Sequence, residues 1–157
     1  MNQSPPAPTR DRIFAGLVYL LPFFDGLIFG TFLFKQFHLE SVFAILYGIY
    51  RSLPFQPFTN LILFFVFLFA IVRNPNISHF IRFNTMQAVL LDVILLLCGL
   101  ILDILGAGLQ TGLVTETLYN TVFLGTIAAV GYAAFASLRG RYAEIPAISD
   151  AVNMQVR

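Results

Sequence analysis

Apolar side chains along this chain gather into four long runs, residues 13–34, 53–72, 85–105 and 116–138. Each is close to the roughly twenty residues that a helix needs to cross hydrocarbon. None alternates with period two, and inside lipid every backbone N–H and C=O must find its partner within the segment, so helices are expected rather than barrel strands. The predicted fold is an all-α integral membrane protein with four transmembrane helices. The breaks between runs carry stop signals: Pro54 and Pro57 set the start of the second span near Leu53, Arg73-Asn74-Pro75-Asn76 ends it, and Gly106, Gly108 and Gly112 loosen the turn before the fourth. Residues 1–11 read as a disordered polar tail, 12–138 as the membrane domain and 139–157 as a second polar tail.

Between the first two spans, Leu39, Val42, Phe43, Leu46 and Ile49 recur at helical spacing, with Glu40, Ser41, Ala44 and Gly48 on another face. Residues 37–50 are therefore expected to form an amphipathic helix lying in the membrane interface, and Tyr47, Tyr50 and Arg51 suit the headgroup level. The competing reading makes this stretch the first half of a long second span broken by proline.

Composition sharpens the assignment. The chain is 58% hydrophobic and 11% charged, against roughly 25% charged in soluble domains, so no ordinary water-facing surface can be assembled. Nine basic and eight acidic residues leave no basic face for nucleic acid. A single cysteine, Cys98, excludes an internal disulfide, a C-x-x-C pair or a zinc cluster. The leader is too short and too poor in Arg and Ser for a transit peptide. With four spans, Arg10, Arg12, Arg73, Arg82, Arg139, Arg141 and Arg157 fall on one side, and Lys35 and Arg51 on the other. The side rich in arginine, with both termini, is expected to be cytoplasmic or its organellar equivalent.

Three carboxylates interrupt the apolar runs: Asp25 in the first, Asp92 and Asp103 in the third. An ionised carboxylate at mid-membrane costs about 2.5–3.5 kcal/mol on insertion scales, so these groups should face other helices or water. Asp92 and Asp103 share a helical face, which implies a polar stripe that a substrate or partner segment could use, or that glues helices. Pro22 should kink the first span beside Asp25 by freeing the carbonyl of Val18. Gly26 and Gly30 form a G-x-x-x-G spacing, and Thr121, Gly125, Ala129, Ala133 and Ser137 repeat every fourth position; both are read as close-packing surfaces, first within the chain and second between copies. The segment RNPNISHFIRFNTMQ gathers Arg73, Asn74, His79, Arg82, Asn84 and Gln87 at the predicted cytoplasmic boundary, as a docking or gating element or as a loop with headgroup anchors. No G-x-S-x-G, H-E-x-x-H or phosphate-binding loop is present, and the glycine-aspartate motif of an intramembrane aspartyl protease is missing. No cofactor or metal is expected, and the chain is not read as an enzyme.

The run VRNPNISHFIRFNTMQAVLLDVILLL, with LVYLLPFFDGLIFGTFLF and IYRSLPFQPF before it, resembles the Tic-twenty-like family. Its plant members are membrane subunits of the protein translocon in the chloroplast inner envelope. The resemblance covers residues 12 to about 138, is most specific in R-F-N-x-x-Q-A, and is nearest to cyanobacterial or plastid-encoded members. It implies four membrane helices, a plasma membrane or plastid inner-envelope location, membrane-protein partners and precursor polypeptides. It carries no catalytic residue. Two functions follow as expectations: a subunit that lines or supports a polypeptide path, or a scaffold that assembles a larger membrane complex.

Overall fold

A computed structural model describes residues 7–54, 58–106, 112–146 and 148–156. Most of the expected N-terminal tail, together with Pro57, Gly108 and Arg157, lies outside them. The described residues form helices and turns without strands: α1 (Thr9–Gln36), α2 (Glu40–Arg51), α3 (Thr59–Val72), α4 (His79–Gly106), α5 (Leu113–Leu138) and α6 (Ile148–Gln155). Three of these, α1, α4 and α5, are long and apolar enough to cross a membrane.

The prediction of four spanning helices meets a shorter second member. Residues 53 and 54 are turn, and α3 begins only at Thr59. Its second half, Val66–Val72, is wound as a π-helix, which rises less per residue than an α-helix. At about 1.5 Å per residue α3 reaches about 20 Å, short of the ~30 Å hydrocarbon core. The proline-rich approach explains the late start, because the residue before a proline is steered away from helical backbone.

Inside α1 the helix is interrupted at Val18 and Tyr19, one turn before Pro22, and passes through a 3-10 turn at Leu27–Gly30. The Val18 carbonyl that Pro22 cannot serve accepts from the Leu21 N–H instead, at 3.3 Å. The bend follows from the missing donor of the proline ring.

Contacts give the direction of each helix. Along α1, Gly16, Gly26 and Gly30 meet Leu138, Thr126 and Phe123 in turn, so α1 and α5 are antiparallel. Tyr19 bonds Asn84 and Phe29 lies against Gly99, so α1 and α4 run parallel. Arg82 donates to the Val72 carbonyl near one end of α3, and Asn60 lines a cavity with Asp92 towards the other, so α3 opposes α4. The start of α1, the α3–α4 turn and the end of α5 consequently share one end of the bundle. Arg12 lies there against Gly140, and His79 bonds Tyr142 and Val156. Gly140, at φ +73°, closes α5 in the left-handed backbone region.

On α2, Leu39, Val42, Ile45 and Ile49 are exposed, whereas Phe43 and Leu46 pack against the cluster of Leu27, Phe29, Leu95, Leu102 and Phe123. Phe43 and Leu46 thus part from the other members of the apolar stripe they share in the sequence, because α2 has one apolar face on the bundle and another turned away from it. The stretch expected as a polar C-terminal tail holds α6, whose Val152 is buried with Val156 against Val72, Phe83 and Met86. Its valines are spaced four apart, but four polar residues between and beside them mask the signal.

At Gly26 an added Cβ would stand 2.7 Å from Thr126 Cγ2, and at Gly30 2.8 Å from the Phe123 ring. At Gly125 nothing lies within 4 Å. Gly30→Leu should therefore destabilise the folded protein by about 1–3 kcal/mol, the usual cost of overpacking, while Gly125→Ala should change it by less than about 0.5 kcal/mol. Thermal melting in detergent micelles checks both.

Candidate functional site: a polar cavity among apolar helices

Two polar clusters interrupt the apolar interior, and they differ in access. The first is sealed. Asn84 is 0% exposed; its Nδ2 donates to the Phe80 carbonyl at 2.8 Å, and its Oδ1 accepts from Tyr19 OH at 2.9 Å and Ser137 Oγ at 2.6 Å. One amide thereby joins α1, α4 and α5. Every residue from Phe83 to Val89 is buried, so this part of α4 is enclosed on all sides.

The second cluster is open. Asp25 of α1 accepts from Tyr50 OH and from Asn60 Nδ2, both at 2.7 Å on Oδ1, and Tyr50 OH also lies 2.8 Å from Asn60 Oδ1. Asp92 of α4 lines the same cavity as Asp25. These side chains line a cavity of about 320 Å³ together with Phe24, Ile28, Phe29, Tyr47, Leu95, Leu96 and Gly99. A second hollow of about 430 Å³ adjoins it, sharing Asn60, Asp92 and Leu96. Four helices each give one polar group: α1 through Asp25, α2 through Tyr50, α3 through Asn60 and α4 through Asp92. The face of Tyr50 stacks on Phe24 at 6.0 Å between ring centroids, which fixes the phenol over Asp25. Burial, and after it the neighbouring Asp25, pushes the Tyr50 phenol above its ordinary range. Such an arrangement offers carboxyl, phenol and amide groups for hydrogen bonding to a guest inside an apolar wall.

The remaining predicted residues are dispersed. Asp103 is exposed and does not line the cavity, so the stripe expected from Asp92 to Asp103 is broken; three turns along α4 the neighbouring helices no longer cover that face. Arg73 is exposed and lies over the Phe69 ring at 5.4 Å. Asn74 Oδ1 accepts from the Asn76 N–H at 3.0 Å, making the turn around Pro75. Arg82 Nε donates to the Val72 carbonyl at 2.7 Å, closing the end of α3. Gln87 is 0% exposed. Gly26 and Gly30 sit against α5, and in the small-residue stripe Ser137 and Ala133 are buried, Ala129 is half-buried and Gly125 exposed. Sequence reasoning missed Asn60 and gave Tyr50 the part of a headgroup anchor; the one available signal was an amide inside the second apolar run.

A family model described as "Chloroplast import apparatus Tic20-like" matches residues 7–152. The chain belongs to the Tic20-like family. It is 45% identical to a Tic20 family protein of Synechocystis over 159 residues, covering 100% of this chain and 99% of the relative. Protein TIC 20-v, chloroplastic, of Arabidopsis thaliana is 35% identical over 148 residues, covering 93% of this chain and 71% of the relative. The Tic20 family protein Ycf60 of the red alga Porphyra purpurea is 27% identical over 157 residues, covering 92% and 75%. With its long apolar helices, the chain is a membrane protein of the Tic20 family and is homologous to chloroplast import components.

Two measurements follow from these clusters. Asn84→Leu leaves the hydroxyls of Tyr19 and Ser137 without their shared acceptor and should cost about 1–2 kcal/mol, whereas Tyr19→Phe should cost about 0.6 kcal/mol, typical of one hydrogen bond between membrane helices; denaturation in mixed micelles reads both. In alkaline titration the phenolate absorbance lost on Tyr50→Phe should be absent near pH 10, where ordinary tyrosines ionise, and develop only above it. The linked stability is whole below pH 10 and declines as pH rises further.

Proposed function

We propose that this protein lines or supports a path for polypeptides across its membrane, and that the cavity of Asp25, Tyr50, Asn60 and Asp92 is the polar part of that path. The observation that carries the reading is the convergence of four polar side chains, one from each of α1 to α4, around a hollow inside otherwise apolar helices. Kinship with import components supplies the cargo class. A passing chain in extended form brings unpaired backbone N–H groups, which are costly in hydrocarbon, and the carboxyl pair offers acceptors at that depth.

In this reading α1, α3, α4 and α5 all span, with α3 reaching across obliquely or in a thinned bilayer and α2 lying along the interface. The ends rich in arginine, with both termini, face the cytoplasm of a bacterial cell or the equivalent side of a plastid inner envelope. The protein works through binding rather than catalysis, with membrane-protein partners and precursor polypeptides.

A photo-crosslinking residue in place of Leu96, which borders both hollows, should capture a precursor arrested in transit. The yield should fall several-fold in Asp92→Asn and Asp25→Asn. Absence of precursor adducts from Leu96, with adducts instead to one resident membrane protein, would sink the proposal.

The second reading is a scaffold for a larger complex. It is favoured by the open half of the stripe on α5, where Thr121 and Gly125 are exposed and nothing within 4 Å would meet a Cβ at Gly125. A partner helix could approach closely there.

A further inference from the structure

Helix α6 covers one flank of α4. Val152 and Val156 are buried among Val72, Phe83 and Met86, with Leu68, Leu90 and Ile148 around them. The segment that leads into α6 is also held: Tyr142 rests edge-on against Phe80 and Phe83, and Ala143 is fully buried. An eight-residue helix is too short to persist in water alone, so the groove maintains α6 rather than the reverse.

Under this cover lies an anomaly. Gln87 is 0% exposed, yet neither its Nε2 nor its Oε1 has a hydrogen-bond partner among the described residues. On α4 it follows Phe83 by four residues and precedes Leu90 by three and Leu91 by four. Phe83 and Leu90 pack on α6, and Leu91 belongs to the cluster that Ile145 and Ile148 join. Gln87 therefore occupies the covered strip. Helix α6 cannot satisfy it, because a helical backbone spends its own N–H and C=O groups internally. A segment with free backbone amides could, since a glutamine amide pairs one donor and one acceptor with a peptide group.

The cover is fastened at its far end by one imidazole. His79 places Nδ1 3.1 Å from Tyr142 OH and Nε2 3.0 Å from the Val156 carbonyl. A neutral ring with its proton on Nε2 donates to Val156 and accepts from Tyr142. A protonated ring keeps the Val156 bond and turns the other into a donation to the phenol oxygen, so the latch does not depend on histidine charge.

We propose that the α4 groove beneath α6 is a second polypeptide-binding site, which α6 occupies as an internal stand-in until a client segment displaces it. The client is an apolar stretch in extended form, whose branched residues two apart recur about every 6–7 Å, close to the rise between Ile148, Val152 and Val156, and whose free backbone amide meets Gln87. Its identity as cargo rests on the polypeptide-path reading; the groove itself does not.

The test uses the full chain in nanodiscs with Cys98→Ala, and as probe a fluorescent peptide of alternating valine and threonine, which favours extended backbone over helix. Two weak hydrogen bonds removed by His79→Ala should raise peptide affinity roughly tenfold. In a Met86→Cys, Val152→Cys form, oxidation should abolish binding and reduction restore it. Gln87→Leu should raise the melting temperature, because a buried unpaired amide is gone, while lowering peptide affinity at least roughly fivefold. A purely structural glutamine would move only the first. Equal binding to locked and unlocked protein, or an affinity untouched by Gln87→Leu, overturns the proposal. Precursor capture from Leu96 is recorded on the same preparations. If it survives without peptide binding, the groove fails alone; if it is lost while peptide binding persists, the polar path fails alone.

Discussion

The fold hangs on the fact that a polar group within lipid-facing helices has no water to turn to. Asn84 satisfies itself and two neighbours at once: its own helix through the Phe80 carbonyl, α1 through Tyr19 and α5 through Ser137. Between apolar helices in lipid there is no hydrophobic drive to associate, so hydrogen bonds and close packing must fix the arrangement. Here the two devices share α5. Ser137 pins one end of α5 to α4, and Gly26 and Gly30 let the other end approach α1. A helix that slid by one residue along either contact would lose both.

Against that sealed node, the Asp25 cluster shows what an unsealed polar site looks like. Its members are well partnered, but by one another, and a hollow remains beside them. Tyr50 arrives from a helix that has a second apolar face turned outward, and Asn60 from the short, π-wound α3. Two walls of the cavity, α2 and α3, are thus drawn from elements with fewer packing constraints than the α1–α4–α5 core, whose α1 and α4 supply the other two. A site that admits a guest must be built from parts that can yield, and the low-stability elements of a fold are where such parts are found.

Much of this was legible in the chain itself. Twenty-residue apolar runs, the arginine asymmetry and the R-F-N-x-x-Q-A segment were enough to indicate a helical membrane protein and its family. The placement of individual polar residues was less so. Asn84 and Gln87 read from sequence as part of a boundary segment with Arg73, His79 and Arg82, for docking or gating or as a loop with headgroup anchors, yet α4 starts at His79 and both are buried in its interior. Period alone puts Asp92 and Asp103 on one face, but a face is polar or lipid-exposed according to what lies beside it, and the neighbours thin out towards the end of α4. The start of α3 was misjudged because hydropathy counts Leu53 as membrane-compatible, whereas the backbone near Pro54 obeys a steric rule that hydropathy does not contain. Helix α6 was hidden because its few buried residues are diluted by Ser149, Asp150, Asn153 and Gln155.

Asn84 and Gln87, two buried amides on α4, lie less than one turn apart and yet have opposite fates. Asn84 is met by hydroxyls from two other helices, and an amide so placed is glue. Gln87 is equally buried and meets none, although the removal of an amide from water without replacement bonds is among the larger penalties a single side chain can impose. A leucine of similar size would fill the same space without that penalty. Packing in the closed arrangement does not explain the glutamine, whereas the proposed client, with a free backbone amide in the place of α6, would give it a partner. The two sites thus differ in what they lack: the polar groups of the Asp25 cavity have partners beside an open hollow, while Gln87 under α6 is buried without a partner for its amide.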